Sequence, residues 1–277
     1  ANQIFFLLVL FLFGTTSGMA IFTAQYWGKG DTENIRKVLG ICLVLAISVA
    51  ALFSLAATLI PERLMSFYTE DPEVIQLGSE YLRIVGLSYV LMAISVSYIS
   101  VLRSITLVTM TMIVSVCALV IKTFLGYSLI FGHFGLPALG VRGAAIGTAT
   151  GWAFECILLL ILVYVRKTPL AGNPFTFFHF NRAFLLNVLR TSMPAAVNEV
   201  IWSFGITTYT AVYARIGTDA IAAININATI EELVFVLFIG LGNACSVMVG
   251  NKIGEKDRDT AFEYSRRFTI LAVTLSI

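Results

Sequence analysis

The stretch from Val38 to Ile60, VLGICLVLAISVAALFSLAATLI, runs for 23 residues without one charged side chain. About 20 apolar residues in a helix span the hydrocarbon core of a bilayer, so this segment can cross a membrane by itself. A barrel strand would instead alternate polar and apolar residues over segments of about ten. The same long runs recur along the chain. Candidate spans lie at 3–26, 38–60, 79–102, 106–131, 141–165, 192–214, 219–250 and 260 to the end, about eight helices in all. Composition agrees, with 58% apolar residues, 12% charged and a mean hydropathy of +0.89. Soluble domains carry roughly 25% charged residues, and half that number cannot cover a surface facing water. The expected fold class is an all-α integral membrane protein, a polytopic helix bundle embedded in lipid. A net charge of +2 gives no case for a nucleic-acid partner.

The loops set the orientation. Lys29, Arg36, Lys37, Arg103, Arg166, Lys167, Arg182, Arg190, Lys252, Lys256, Arg258, Arg266 and Arg267 fall in alternate connections, thirteen basic residues, against Arg63, Arg142 and Arg215 in the others. Basic residues stay on the cytoplasmic side, which makes loops 27–37, 103–106, 166–191 and 251–259 cytoplasmic. Residue 1 then lies outside, in a cell (inner or plasma) membrane protein. Both ends of the chain read as cuts in hydrophobic runs, and the orientation asks for an odd number of helices, simplest one, ahead of Ala1. Pro169, Pro174 and the amphipathic stretch Asn181–Leu189 mark 168–191 as a cytoplasmic linker, with its short helix at the interface. It separates an N-terminal lobe, 1–167, from the start of a C-terminal lobe, 192–277.

An internal repeat supports two lobes. A shift of 226 residues lays Gly14, Gln25, Gly28 and Asp31 on Gly240, Asn251, Gly254 and Asp257. Both copies end a hydrophobic helix, cross a charged turn and begin another helix. Two pseudo-symmetric six-helix lobes, incomplete here, follow, related by an axis along the membrane normal.

Patterns for catalysis are missing. His133 and His179 stand alone, and no HExxH, GxSxG or Walker sequence occurs. Cys42, Cys117, Cys156 and Cys245 lie in apolar runs without ligand spacing, so neither disulfide, metal nor cofactor is expected. Gly143, Gly147 and Gly151 repeat every fourth residue, the spacing that lets helices approach closely in lipid.

Ionisable residues inside spans carry the functional signal, since each costs roughly 2.5–3.5 kcal/mol at the centre of a membrane helix. They are Glu80, Arg83, Lys122, Glu155, Glu199, Glu231 and Glu232. Glu80 and Arg83, at i and i+3, suit a pair near the outer surface. Glu199 stands out, in Pro194-x-x-x-Asn198-Glu199-x-x-Trp202. Pro194 leaves a backbone carbonyl unpaired and favours a bend or a helix start. Asn198 and Glu199 give adjacent oxygen ligands for a proton or a sodium ion, and Trp202, one turn on, offers a π-face to an organic cation. Asn225, Asn227 and Glu231 extend a polar stripe along the next helix.

These residues resemble the multidrug and toxic compound extrusion (MATE) family of a flippase-like exporter superfamily. The likeness rests on Gln25-x-x-Gly28-x-Gly30-Asp31, on Leu129-Ile130-Phe131-Gly132 through Gly135-Leu136-Pro137-Ala138-Leu139-Gly140-Val141, on Met193-Pro194, on Arg215-Ile216-Gly217-Thr218, and on Gly240-Leu241-Gly242-Asn243-Ala244 with Val249-Gly250-Asn251. It implies twelve helices in two lobes, of which this chain resembles the second to the ninth, and export of organic cations against sodium or protons. Family members carry a carboxylate in the first or the tenth helix, outside this chain, and many place the seventh-helix Glu about eight residues after the Pro rather than five. Where an Asn is common, Lys122 stands; it either substitutes for a coupling cation or pairs with Glu155.

The function read from these signs is cation-coupled antiport of drugs or other organic compounds by alternating access. No cofactor is needed beyond the coupling ion, the substrate is a cationic or amphiphilic small molecule, and the complete protein is a monomer. A lipid-linked saccharide flippase is the alternative, although Arg83 and Lys122 are few for holding a pyrophosphate. A receptor or an intramembrane enzyme fits less well. The orientation predicts that a lone Cys at Glu70 reacts with an impermeant thiol reagent added outside, while one at Lys256 does not; the opposite labelling would overturn the topology.

Overall fold

The computed structural model describes residues 2–66, 71–216 and 218–276, with side chains at 2–4, 196, 200, 203–204, 207, 209–230 and 232–233 outside the description. The described residues are helical apart from short connections. In chain order they form α1 (Asn2–Gly28), α2 (Thr32–Leu59), α3 (Pro61–Ser66), α4 (Pro72–Gly86), α5 (Tyr89–Ser104), α6 (Val108–Phe131), α7 (Val141–Val165), a 3₁₀ turn (Pro174–Phe178), α8 (Arg182–Ile216), α9 (Thr218–Gly254) and α10 (Arg258–Ser276).

Five described helices are long and apolar enough to cross a membrane, and α4 and α5, bent by 52° at their junction, are so only when taken together. The sequence reads that region as one straight span, 79–102. The break falls at Leu87–Ser88, where the Ser88 hydroxyl turns back to donate to the Val85 carbonyl at 2.6 Å. A hydroxyl in hydrocarbon must find an acceptor, and the backbone next to it is within reach. The other two of the eight candidates fall in α8, much of which lies outside the description, and in α10. The latter opens on Arg258, Asp259, Glu263, Arg266 and Arg267 before its apolar half.

The stretch expected as a separate interfacial helix forms the first turns of α8, which continues through Pro194 as one element. Its inner face explains the continuity. Val188 is fully buried with Val38, Ile41, Cys42 and Met19, and Phe184 and Leu185 pack beside it. Anchored on α1 and α2, the segment stays helical into the Pro, whose lost hydrogen bond a membrane helix tolerates.

The first lobe has two cores. Leu8, Leu12, Ala46, Ala50, Leu82, Tyr89 and Met92 fill one end, and Ile35, Leu39, Tyr98, Val101, Leu102, Ile105, Leu159 and Phe177 the other. Leu52, Leu55, Leu59, Leu119 and Val120 are more than half exposed, as lipid-facing positions should be. Lipid tails are as apolar as leucine, so helix association rests on close packing and on polar contacts between helices. Two such contacts tie α1 to α5: Thr23 Oγ1 lies 2.6 Å from Ser104 Oγ, both buried, and the Ser100 hydroxyl donates to the Thr16 carbonyl at 3.3 Å. The glycine stripe of α7 lies on α6, with Gly147 against Gly126 and Gly143 against Leu129.

The repeat is visible in detail. Asp31 Oδ1 accepts from the Asn34 amide at 3.0 Å to cap α2, and Asp257 Oδ1 accepts from the Thr260 amide at 3.1 Å to cap α10. The Asp31 amide donates to Tyr26 and the Asp257 amide to Lys252, at 2.9 and 3.0 Å. Gly30 and Lys256 share the left-handed conformation, with φ of 72° and 65°. Each pair differs by 226. The hydrogen bonds from Thr260 hold the Asp257 carboxyl below the usual carboxylate range. Its capping contribution is therefore present at neutral pH and fades as pH falls through that range.

The two copies also touch each other. A Cβ on Gly28 would overlap the carbonyl of Asn251, and one on Gly254 would overlap the carbonyl of Gln25. Under the 226-residue shift these are the same contact read from either side, an isologous pairing. Like ends of two parallel helices meet, so the local two-fold axis runs along them. Inserting a side chain into a packed contact costs about 1–3 kcal/mol. Gly28→Leu and Gly254→Leu should each destabilise the full-length protein by about this amount in denaturation of the detergent-solubilised form. Gly240→Leu, where a Cβ meets nothing within 4 Å, should leave its stability unchanged.

Candidate functional site

Beyond their contact, α1 and α9 separate around a cavity of about 320 Å³. Phe13, Thr16, Ser17 and Ala20 line it from α1, and Asn243, Ser246 and Val247 from α9. Ile99, Ser100 and Arg103 of α5 and Glu155 of α7 complete the wall. The walls are small and polar where the lobes face each other. Ser17 and Asn243 are equivalent under the repeat, as are Ala20 and Ser246. That relation could have found them in the sequence, but only once the two lobes were known to face each other.

Glu155 is the carboxylate among the described lining residues. Its Oε1 accepts from the Ser115 hydroxyl of α6 at 2.8 Å. That partner is neutral, and the basic Arg103 lines the same cavity. Lys122 lies elsewhere, with its ammonium 5.4 Å from the centre of the Trp152 ring. It lines a second cavity, of about 150 Å³, inside the first lobe. Lys122 and Glu155 thus face two different cavities.

Glu80 and Arg83 do not pair with each other. The Arg142 guanidinium of α7 grips Glu80 with two hydrogen bonds of 2.7 and 2.8 Å, and Arg83 reaches Glu62 of α3 at 2.6 Å. Spacing along one helix suggested the local pair, but α3 and the start of α7, packed beside α4, supply the partners instead.

In α8, Glu199 is half-buried, Asn198 is exposed and Trp202 is 49% exposed. None of the three lines the inter-lobe cavity. Glu231 is exposed on α9. The side chains of Asn225, Asn227 and Glu232 lie outside the described residues. Among the described residues no cluster of three His, Cys, Asp or Glu side chains is placed to hold a metal.

The MatE family model matches residues 1–128 and 194–277. The chain belongs to the MatE family. Curated relatives of this MatE chain include the probable multidrug resistance protein NorM of Agrobacterium fabrum, 28% identical over 260 residues. The NorM protein of Rhizobium meliloti is 29% identical over 263 residues. In each case 93% of this chain aligns with 55% of the relative, so the chain spans about half the length of the proteins it matches. Among solved structures, a crystal structure of MATE in the bent conformation superposes with a TM-score of 0.81 at 19% identity, covering 98% of this chain and 62% of that one. The fold is therefore that of the MATE structures it matches, a membrane protein of several spans.

Proposed function

We propose that the full-length protein is a secondary active exporter that exchanges organic compounds for sodium ions or protons by alternating access. The observation that carries this reading is the junction of α1 and α9, in contact at one end and parted around a cavity whose lining includes Glu155 and Arg103. A pair of half-alike lobes touching at one end can rock about the cavity and open it to either side in turn. The relatives named as probable multidrug resistance proteins support drug-like organic cations and amphiphiles as substrates. The basic loops support placement in the cell membrane with the closed end toward the cytoplasm, and the two lobes of one chain enclose the path without a partner subunit.

Coupling requires the ion and the substrate to use the same charge. Glu155 faces the inter-lobe cavity from the first lobe, with Ser115 to orient it. Glu199, with Asn198 and Trp202, carries the corresponding chemistry on α8 of the second, and the stripe with Asn227 and Glu231 continues it on α9. A proton or sodium ion held at either carboxylate displaces an organic cation, and the reverse exchange loads the cation from the other side.

In proteoliposomes of the full-length protein, Glu155→Gln and Glu199→Gln should preserve the fold and reduce gradient-driven efflux by at least about tenfold. Asn198→Ala and Trp202→Ala should weaken substrate binding more than ion coupling. Wild-type efflux with an unchanged response to sodium and to pH in both Gln variants would overturn the proposed coupling.

A further inference from the structure

The connection from α7 to α8 is strapped to the start of α2. Arg36 Nε donates to the Pro169 carbonyl at 2.7 Å, and the Tyr164 hydroxyl, at the end of α7, donates to the Gly172 carbonyl at 3.1 Å. A Cβ on Gly172 would press on the Arg36 guanidinium, and one on Gly40 would overlap the Phe177 carbonyl. Phe177 itself is buried in one cluster with Ile35, Leu39 and Leu170.

The depth of this strap in the membrane follows from α2. The uncharged run 38–60 is about 34 Å long as a helix, against about 30 Å of hydrocarbon in a bilayer. Arg36 and Lys37 come directly before that run, so they sit at the level of the lipid headgroups. Tyr164 is exposed beside the exposed Val165, as suits the interface, where tyrosines collect. Bonds from Arg36 and from Tyr164 therefore hold the connection at headgroup depth.

Two features of the strap ask for a lipid. Residues three apart eclipse in a 3₁₀ turn, so Phe175 and Phe178 share a face that Phe177 does not, and they are 75% and 47% exposed. Bare phenyl rings are costly toward water, and acyl chains cover them without that cost. Close to them lies a cavity of about 320 Å³ lined by Glu33, Arg36, Lys37, Thr176 and His179. Glu33 and Lys37 pair at 2.7 Å, which leaves the Arg36 charge in excess. A guanidinium has five N–H donors, and beyond the bond to Pro169 those of Arg36 meet no hydrogen-bond partner among the described residues. His179 Nδ1 lies 2.8 Å from the Phe175 carbonyl, which leaves the second ring nitrogen for a ligand.

We propose that this face binds one anionic phospholipid, whose phosphate is held by Arg36, Lys37 and His179 and whose acyl chains cover Phe175 and Phe178. The guanidinium fork matches phosphate oxygens, and a zwitterionic headgroup would bring a further cation into a cavity that is already positive. The inference rests on the membrane fold and not on the proposed coupling, and its test involves no transport.

Local lipid occupancy is read by fluorescence. A Phe175→Trp variant of the full-length protein is reconstituted in phosphatidylcholine bilayers containing phosphatidylglycerol, with bromine on the acyl chains of one lipid or the other. Its quenching is compared with that of the parent protein. The added indole should report phosphatidylglycerol enriched about fivefold over its bulk fraction, the scale of one basic group beside an anionic headgroup. Arg36→Gln should bring that enrichment close to one, whereas Arg258→Gln, an equal charge change in the second lobe, should leave it unchanged. Because Arg36 also holds the linker, Lys37→Met, which keeps the bond to Pro169, provides the second variant and should lower the enrichment about twofold or more. Equal occupancy of the two lipids overturns the proposal, as does quenching by neither, which would put the turn in water. Loss of the enrichment when inorganic phosphate replaces chloride at equal ionic strength overturns it too, since the cavity would then take a free anion. So does an Arg258→Gln effect as large as that of Arg36→Gln, which would make the preference one of general surface charge.

Discussion

Gly28 and Gly254 let the ends of α1 and α9 approach until each glycine touches a backbone carbonyl of the other helix, and the arrangement of the lobes follows from that. Any side chain there would force the helices apart. Because the contact is reciprocal, it brings equivalent points of the two lobes together and aligns their local axis with the helices. Residues one and two turns before the contact, Ser17 and Ala20 with Asn243 and Ser246, then lie across from each other as cavity walls. The proposed alternating access calls for contacts of this kind, between surfaces made of backbone and small residues. They hold by fit, and they can part without stranding a buried charge.

Charge in the membrane follows a second constraint. Every ionisable group there needs a partner or a function, and the first lobe sorts its groups by that test. Glu80 and Arg142 satisfy each other, as do Arg83 and Glu62. Glu155 keeps one neutral donor and faces the space between the lobes. Lys122 lies over the face of Trp152.

Much of this was legible in the residues. The crossing segments at 3–26, 38–60, 106–131 and 141–165 agree with α1, α2, α6 and α7 to within a few residues at either end, because long uncharged runs have no alternative to a lipid-facing helix. The repeat relating Gln25, Gly28 and Asp31 to Asn251, Gly254 and Asp257 reappears as equivalent caps and turns. The bend at Ser88 and the continuity of α8 through Pro194 were not legible. The bend falls inside a candidate span, 79–102, that carries no Pro, and the continuity of α8 depends on Val188 being held by residues some 150 positions earlier in the chain.

The site divides in the same way. Which residues are costly in lipid is a property of their chemistry and their place in a span, so Lys122, Glu155 and Glu199 stood out from the sequence alone. Their partners are a matter of helix rotation, which no spacing along one helix decides. Glu80 lies one turn from Arg83 yet is held by Arg142, and Lys122 and Glu155, which the sequence allowed to pair, turn into separate cavities. The sequence by itself determined a helical membrane protein in two related halves, through hydrophobic length and a 226-residue repeat. Only the tertiary structure decided which polar groups share a cavity, because that depends on how each helix is turned against its neighbours by the packing of uncharged residues.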